Sequence, residues 1–108
     1  QAFPTLTVVA AHFGGWTEWE DAVQTLAGQY KNLYVDTCSS LHWLSPARAR
    51  GVVRAFGANK VLFGTDYPMW DAADELAMLR AAGLRQTELE LVLHKNAEHV
   101  YRLQPRRV

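Results

Sequence analysis

This 108-residue sequence has a single cysteine, no excess of either charge and no long hydrophobic run. The lone Cys38 excludes an internal disulfide and fits a reducing compartment, so we expect a cytoplasmic protein. No apolar stretch approaches the roughly 18 residues that span a bilayer, and no signal peptide is visible. We therefore expect no membrane partner.

Neither sign of charge dominates, because 11 basic residues balance 11 acidic ones. A nucleic-acid-binding protein needs an excess of positive charge, so a nucleic-acid partner is excluded. The basic end of the chain is too short to change this and is expected to be solvated: Arg102, Arg106 and Arg107. The sequence also lacks the phosphate-binding pattern G-x-G-x-x-G and the nucleophile elbow G-x-S-x-G.

What the sequence does contain is a regular alternation of apolar runs and helical patterns. The apolar runs predict strands at 6–11, 33–35 and 61–63. The strand starts are 27 and 28 residues apart, which is typical of repeated β-strand and α-helix units. We predict one α/β domain over residues 1–108, in which three parallel strands are flanked by helices.

Helix-start signals occur between and after the predicted strands, at Thr17–Glu20, Ser45–Pro46, Asp71 and Thr87–Glu90. The first and last of these have the capping-box pattern. Serine followed by proline is typical of an N-cap and the first helical position. The corresponding helices are expected to end near Tyr30, Gly57, Gly83 and Val100.

Asp66 lies where the third predicted strand meets its loop, within the segment Lys60–Trp70. Gly64, two residues earlier, allows the backbone to pass close to a neighbouring group. A carboxylate at this point is either a turn cap or a ligand-binding or catalytic group, as at the strand ends of α/β proteins. Because parallel strands end at the same edge of a sheet, His12 and Asp36 should lie on the same side as Asp66.

An imidazole and carboxylates at one edge can hold a divalent metal or move protons to and from a bound water. A catalytic zinc usually has three protein ligands, and His12 with Asp66 supplies two. Cys38 is conceivable as a thiol nucleophile beside His12, although a buried, inert thiol is the favoured interpretation. The remaining histidines fit no ligand pattern and are interpreted as structural or surface residues: His42, His94 and His99.

Four segments resemble successive landmarks of one family: Val9–Gly15, Asn32–Thr37, Val61–Pro68 and Lys95–Glu98. In order and spacing they are similar to the C-terminal part of the amidohydrolase-related, metal-dependent hydrolases. This is a TIM-barrel family that includes aromatic-acid decarboxylases and lactone hydrolases. The resemblance covers nearly the whole chain, and its most specific part is the stretch from Gly64 to Pro68.

The resemblance implies that the first three of these segments are the last three strands of a barrel. Asp66 would be the final-strand aspartate that touches the metal or its water. His12 would be the sixth-strand histidine, which ligates the metal in some members and transfers protons in others. Asn96 would be a buried structural residue, and Asp36 has no fixed role. The resemblance also implies a divalent metal, with zinc expected, and a small-molecule substrate such as a carboxylic acid, cyclic ester or amide.

The sequence departs from this family in its metal ligands. The family's His-x-His near the N-terminus and its fifth-strand histidine have no counterpart here. A complete (β/α)8 barrel needs about 250 residues, so we predict a partial TIM barrel, the C-terminal fragment of a longer one. Its open edges and inner face should favour self-association or complementation by the rest of the barrel. Whether this chain alone is an enzyme is left open.

The leading hypothesis is the C-terminal part of a metal-dependent hydrolase or decarboxylase, with Trp16, Trp43 and Trp70 lining a substrate pocket. Ordinary packing explains these tryptophans equally well. Two alternatives stay open. One is a catalytically incomplete barrel fragment that self-associates, and the other is a small flavodoxin-like binding domain.

Overall fold

A computed structural model describes residues 3–103 and contains one sheet of three strands. The strands are β1 (Val8–Ala10), β2 (Leu33–Asp36) and β3 (Val61–Leu62), in the spatial order β1-β2-β3. Both neighbouring pairs are parallel. The predicted parallel α/β arrangement is therefore confirmed. The solvation predicted for Arg106 and Arg107 falls outside the described residues, whereas Arg102 is exposed as expected.

Strand β1 is shorter than the predicted strand over residues 6–11. Its register begins with Val8 opposite Leu33, and Leu6 has no strand partner. The backbone N–H of Leu6 instead donates to the carbonyl of Phe3, at 3.2 Å, in a turn. Leu6 is therefore an exposed apolar residue, with 57% of its area accessible, and it does not extend the strand.

Helices follow each strand on the pattern expected for βα units. They are α1 (Trp19–Leu26), α2 (Pro46–Phe56), α3 (Ala72–Ala81), α4 (Gln86–Glu90) and α5 (Asn96–Val100). A π-helical turn (Leu91–Lys95) joins α4 to α5, so the last predicted helix is continuous but locally widened. No helix within residues 3–103 is long and apolar enough to cross a membrane.

Helix α2 begins and ends as predicted. The side chain of Ser45 accepts a hydrogen bond from the backbone N–H of Arg48 at 3.2 Å, and Pro46 occupies the first helical position. At the other end Gly57 has φ of 97°, a conformation that glycine adopts without steric cost. These local signals need no tertiary information, which is why they were readable in the sequence.

The two predicted capping boxes are wrong in register. Helix α1 has Glu18, not Thr17, at its N-cap, no side-chain cap bond, and an end at Leu26 instead of Tyr30. Helix α4 starts at Gln86 with Arg85 as its N-cap, two residues earlier than an N-cap at Thr87 would place it, because Glu88 accepts from the backbone N–H of Arg85 at 2.9 Å. Burial of the Glu88 carboxylate fixes this register.

The core lies between the sheet and its helices and consists of fully buried apolar side chains, including Phe13, Val35, Val53, Val61, Leu79 and Val92. Asn96 is buried, as expected, and its amide donates to the carbonyls of Ala58 and Val61, both at 2.7 Å. These bonds tie the last helical segment to the start of β3.

Candidate active site

Asp36 joins the loops that follow β1 and β2. Its Oδ1 accepts from the backbone N–H of His12 at 3.0 Å and from that of Cys38 at 3.1 Å. A carboxylate oxygen can accept both bonds at once because it has two lone pairs. Asp36 therefore acts as a structural clamp that brings His12 next to the loop after β2.

The imidazole of His12 is half-buried and oriented by a backbone carbonyl. Its Nδ1 lies 2.8 Å from the carbonyl oxygen of Cys38. A carbonyl can only accept, so Nδ1 carries the proton and donates it. In the neutral ring this leaves the Nε2 lone pair available, which is the usual arrangement of a metal-binding histidine.

Asp66 is exposed at the end of the segment after β3, and its carboxylate Oδ2 accepts from the hydroxyl of Ser39 at 2.9 Å. The backbone carbonyl of Asp66 accepts from the N–H of Met69 at 2.8 Å, which closes the following turn. Ser39 is the only described residue that hydrogen-bonds this carboxylate. The other oxygen, Oδ1, is available to a ligand.

Gly64 lies against the loop after β2, as its position in the sequence predicted. A Cβ built on Gly64 would be 2.4 Å from Sγ of Cys38, closer than real atoms approach. The hydroxyl of Thr37 accepts from the N–H of Gly64 and donates to its carbonyl, both at 3.1 Å. The last strand is thus fixed against Thr37–Ser39, the same loop to which His12 and Asp66 hydrogen-bond.

Several residues of this edge have left-handed backbone conformations that non-glycine residues rarely adopt. They are His12 (φ 57°), Phe13 (φ 52°), Trp16 (φ 49°), Ser39 (φ 52°) and Asp66 (φ 57°). Such conformations cost energy and persist where the surrounding structure holds them, frequently at functional sites. The clustering of strained backbone at one edge of the sheet supports a functional role there.

The thiol of Cys38 is unsuited to nucleophilic catalysis. Burial raises its pKa to about 12, and hydrogen bonding to Asp36 together with the charge of that carboxylate acts in the same direction. The thiolate is the nucleophilic form, so Cys38 is unreactive near neutral pH. The interpretation of Cys38 as an inert packing residue is therefore favoured.

The three tryptophans differ in how they relate to this edge. Trp16 packs edge-on against the ring of His12, with 6.2 Å between centroids. Trp70 is half-buried and donates from Nε1 to the hydroxyl of Ser39 at 2.8 Å. The side chain of Trp43 is exposed, and no described contact joins it to His12 or Asp66.

A contact between His42 and Glu75 was missed by sequence reasoning. Nε2 of His42 lies 2.8 Å from Oε1 of the fully buried Glu75, although neither carboxylate oxygen has a well-aligned hydrogen bond within the described residues. Burial raises the pKa of Glu75, and the charge of His42 opposes this shift. One signal was available, because Glu75 shares a helical stripe with the apolar Leu79 and Ala82.

Ser39 was also missed as a site residue, although it bonds to both Asp66 and Trp70. It belongs to the polar run Asp36–Ser40 that directly follows a buried strand. Polar residues at that position in a parallel sheet are a signal of function, and this signal could have singled out Ser39.

The amidohydrolase family model matches residues 1–103. The chain belongs to the amidohydrolase family. No curated protein sequence matches it. Family membership gives the parallel sheet its context, since the strand ends that carry His12 and Asp66 are the end at which barrel enzymes of this architecture place their chemistry.

Solved structures place this amidohydrolase chain within a TIM barrel. An uncharacterized TIM-barrel protein from Bordetella bronchiseptica matches with a TM-score of 0.80 and 29% identity, over 97% of this chain and 37% of that one. A dihydroxybenzoic acid decarboxylase from Polaromonas, solved with manganese and 2-nitroresorcinol, matches with a TM-score of 0.69 and 17% identity, over 94% and 35%. A protein assigned as a 2-pyrone-4,6-dicarboxylic acid hydrolase from Pseudomonas putida gives 0.71 and 18%, over 94% and 45%.

The amidohydrolase chain therefore spans less than half the length of the barrels that it matches. The two less similar structures support the fold alone. The predicted partial barrel with three parallel strands is confirmed by these matches together with the sheet topology.

The described residues fit one part of a metal site. Within residues 3–103 no group of three or more His, Cys, Asp or Glu side chains is placed to hold a metal ion. Nε2 of His12 and Oδ1 of Asp66 are donor atoms of the kind that bind divalent cations. Both are available, because Nδ1 of the same imidazole bonds to Cys38 and Oδ2 of the same carboxylate bonds to Ser39. The residues thus fit as two ligands of a site that needs further donors.

Proposed function

We propose that this chain supplies the C-terminal βα units of a metal-dependent hydrolase or decarboxylase, in which His12 and Asp66 serve the metal site. The observation that carries the proposal is that both side chains hydrogen-bond to consecutive residues of the loop after β2, Cys38 and Ser39. His12 is oriented by the carbonyl of Cys38, and Asp66 by the hydroxyl of Ser39. The match of residues 1–103 to the amidohydrolase family gives this geometry its chemical interpretation.

In this proposal Nε2 of His12 and one oxygen of Asp66 are metal donors, and the remaining ligands come from the rest of the barrel. A bound divalent cation supplies Lewis-acid polarisation of a substrate oxygen. Zinc is the expected metal, since imidazole nitrogen and carboxylate oxygen both ligate it. Manganese is the alternative, because the neighbouring Polaromonas decarboxylase was solved with that ion.

Proton movement is the second task proposed for Asp66 and His12. The exposed carboxylate of Asp66 can take a proton from an attacking water, or return one to the carbon that loses a carboxyl group. The Nδ1 proton of His12 is held by Cys38, so Nε2 is the atom that can exchange a proton with a substrate. Nε2 can exchange a proton only where it is not itself bound to the metal, so His12 either ligates the metal or transfers protons.

We propose a small carboxylic acid, lactone or amide as the substrate class. The neighbouring barrels that support this include one decarboxylase and one protein assigned as a hydrolase of a cyclic ester. Trp16 beside His12 and Trp70 beside Ser39 are the proposed walls of the pocket, with Trp43 at its exposed margin. A cytoplasmic location belongs to the same proposal and is supported by the unpaired Cys38.

The metal affinity of the purified chain tests the proposal. Calorimetric titration with Zn²⁺ or Mn²⁺ should detect one weak site per chain, because the chain supplies two donors of a larger ligand set. Asp66→Ala and His12→Ala should each abolish most of this binding, because each removes one of the two donors. Asp71→Ala is the matched control, since it removes an exposed carboxylate at the start of α3 and should leave the metal affinity unchanged.

A wild-type chain with no detectable metal binding in the titration would contradict the proposed metal role, and so would an equal metal affinity in the Asp66→Ala variant. Activity is then assayed on a panel of aromatic carboxylates, lactones and amides. The assay uses the chain alone and the chain mixed with a separately expressed N-terminal part of a family barrel.

A catalytically incomplete fragment that self-associates is the second candidate. The absence of a group of three metal-binding side chains within residues 3–103 favours it. The exposed apolar residues of β1 and the segment before it also favour it.

A further inference from the structure

The hydroxyl of Ser39 has its hydrogen-bond directions fixed by its two partners. The indole Nε1–H of Trp70 can only donate, so at 2.8 Å the oxygen of Ser39 must accept from it. The single proton of the serine is then free to go to Oδ2 of Asp66, at 2.9 Å. The order of donation therefore runs from Trp70 through Ser39 to Asp66.

Ser39 is rigidly held where this bond is made. Only 7% of the residue is accessible, and its φ of 52° is one that serine rarely adopts. Its neighbour Cys38 is fixed at the same time by Asp36 and by contact with Gly64. The serine thus presents its hydroxyl from a backbone that cannot easily move away.

Trp70 is held in turn by a second pair of residues. Its ring stacks on that of His42, with 3.9 Å between centroids and 29° between planes. Nε2 of His42 lies 2.8 Å from the buried Oε1 of Glu75 on helix α3. A buried carboxylate in the core therefore anchors the imidazole that supports the indole.

We propose that Ser39 is a positioning residue for Asp66, and that Trp70, supported by His42 and Glu75, sets the direction of its hydroxyl. Occupation of Oδ2 by Ser39 leaves Oδ1 as the oxygen presented at the site. The consequence for a metal rests on the function proposed above, whereas the coupling of Trp70 to Asp66 does not. Removal of a residue that hydrogen-bonds to a metal ligand and orients it typically lowers metal affinity by about 10–100-fold.

Nuclear magnetic resonance of the indole N–H groups tests the coupling directly. Trp70→Phe identifies the Trp70 signal among the four tryptophans of the chain. Asp66→Asn should shift this signal, because it changes the acceptor of the serine proton. In a Ser39→Ala background the same Asp66→Asn change should leave the Trp70 signal unmoved. A purely structural Ser39 would not transmit such a response.

Metal affinity gives the second readout. Ser39→Ala should weaken binding of Mn²⁺ or Zn²⁺ by about 10-fold or more. The matched control is Ser45→Ala, which removes the cap of helix α2 and costs stability without touching Asp66. Its affinity for the metal should equal that of the wild-type chain.

The two proposals fail in different ways. If the wild-type chain binds no metal but Trp70 responds to Asp66→Asn only when Ser39 is present, positioning stands and the metal role falls. An unresponsive Trp70 signal, or a response that persists in Ser39→Ala, overturns the positioning role whatever the metal result.

If Ser39→Ala does not fold, a second variant tests the same coupling. Trp70→Phe keeps an aromatic ring against His42 but removes the indole N–H, so it should still move the ¹³C signal of the Asp66 carboxyl. An unmoved signal overturns the proposal.

Discussion

At the scale of single residues, position 64 shows how a missing side chain shapes the site. Gly64 lets the chain after β3 approach Cys38 so closely that a Cβ would lie 2.4 Å from the sulfur. The same approach allows Thr37 to bond both backbone groups of Gly64. Glycine is required here for space and not for a positive φ.

We predict that Gly64→Ala lowers the free energy of unfolding by about 1–3 kcal/mol, as overpacking does. In a Cys38→Ala background the cost should be largely removed, since the sulfur that the new methyl group meets is gone. Gly51→Ala is the control, because no atom lies within 4 Å of the added Cβ. Gly51 lies at an exposed position of helix α2, so Gly51→Ala should raise the free energy of unfolding by about 0.5–1 kcal/mol. Urea unfolding measures the wild type, Gly64→Ala, Cys38→Ala, the double variant and Gly51→Ala, and an equal cost in both backgrounds would show that the contact is not the cause.

At the scale of one element, helix α3 places the carboxyl group of Glu75 in the core. Its residue Glu75 is fully buried, and burial raises the pKa of this carboxyl above the ordinary value of 4.5. The charge of His42 opposes the shift, whereas that of Asp74 adds to it. The folded protein therefore keeps the Glu75 proton to higher pH than the unfolded chain does.

The pH dependence of stability follows from that difference. Above pH 4.5 the unfolded chain binds fewer protons at Glu75 than the folded protein, so this residue's contribution to the free energy of unfolding falls as pH rises through its folded pKa. Glu75→Gln removes the titration, and its stability relative to wild type should increase with pH across this window. Gln29→Ala, which replaces an exposed side chain that does not titrate, should instead give a curve parallel to the wild type. Parallel curves for Glu75→Gln would contradict the prediction.

At the scale of the whole molecule, the described residues leave the β1 edge of the sheet uncovered. Strand β1 pairs only with β2 within residues 3–103. Phe3, Leu6 and Val8 are 74%, 57% and 43% accessible. Unpaired strand edges with exposed apolar side chains tend to associate with another chain.

Sedimentation velocity should therefore show association of the 108-residue chain that grows with concentration. Leu6→Lys should weaken it, because it places a charge in the exposed apolar patch beside β1. Tyr101→Lys is the control, since it also replaces an exposed apolar side chain, 58% accessible, but lies beyond helix α5. A monomer at every concentration tested, or equal weakening by both substitutions, would contradict this prediction.

The sequence by itself determined the order of the elements, because strand and helix signals depend on residues a few positions apart. The apolar runs at Leu33 and Val61, the cap at Ser45 and the glycine at position 57 all act locally. The even spacing of the strands then predicts parallel pairing, which the structure confirms. That pairing also predicted which edge of the sheet would carry His12 and Asp66.

Only the tertiary structure decided how that edge is assembled. Ser39 meets Asp66 across 27 residues of sequence, and Arg54 pairs with Glu88 across 34. Arg54 holds the same Glu88 carboxylate that accepts from the backbone N–H of Arg85 at the start of α4. Such contacts are absent from local patterns because their energy depends on burial and on the partner that folding brings near. For the same reason the burial of Glu75 and the orienting role of Ser39 had to be read from the fold.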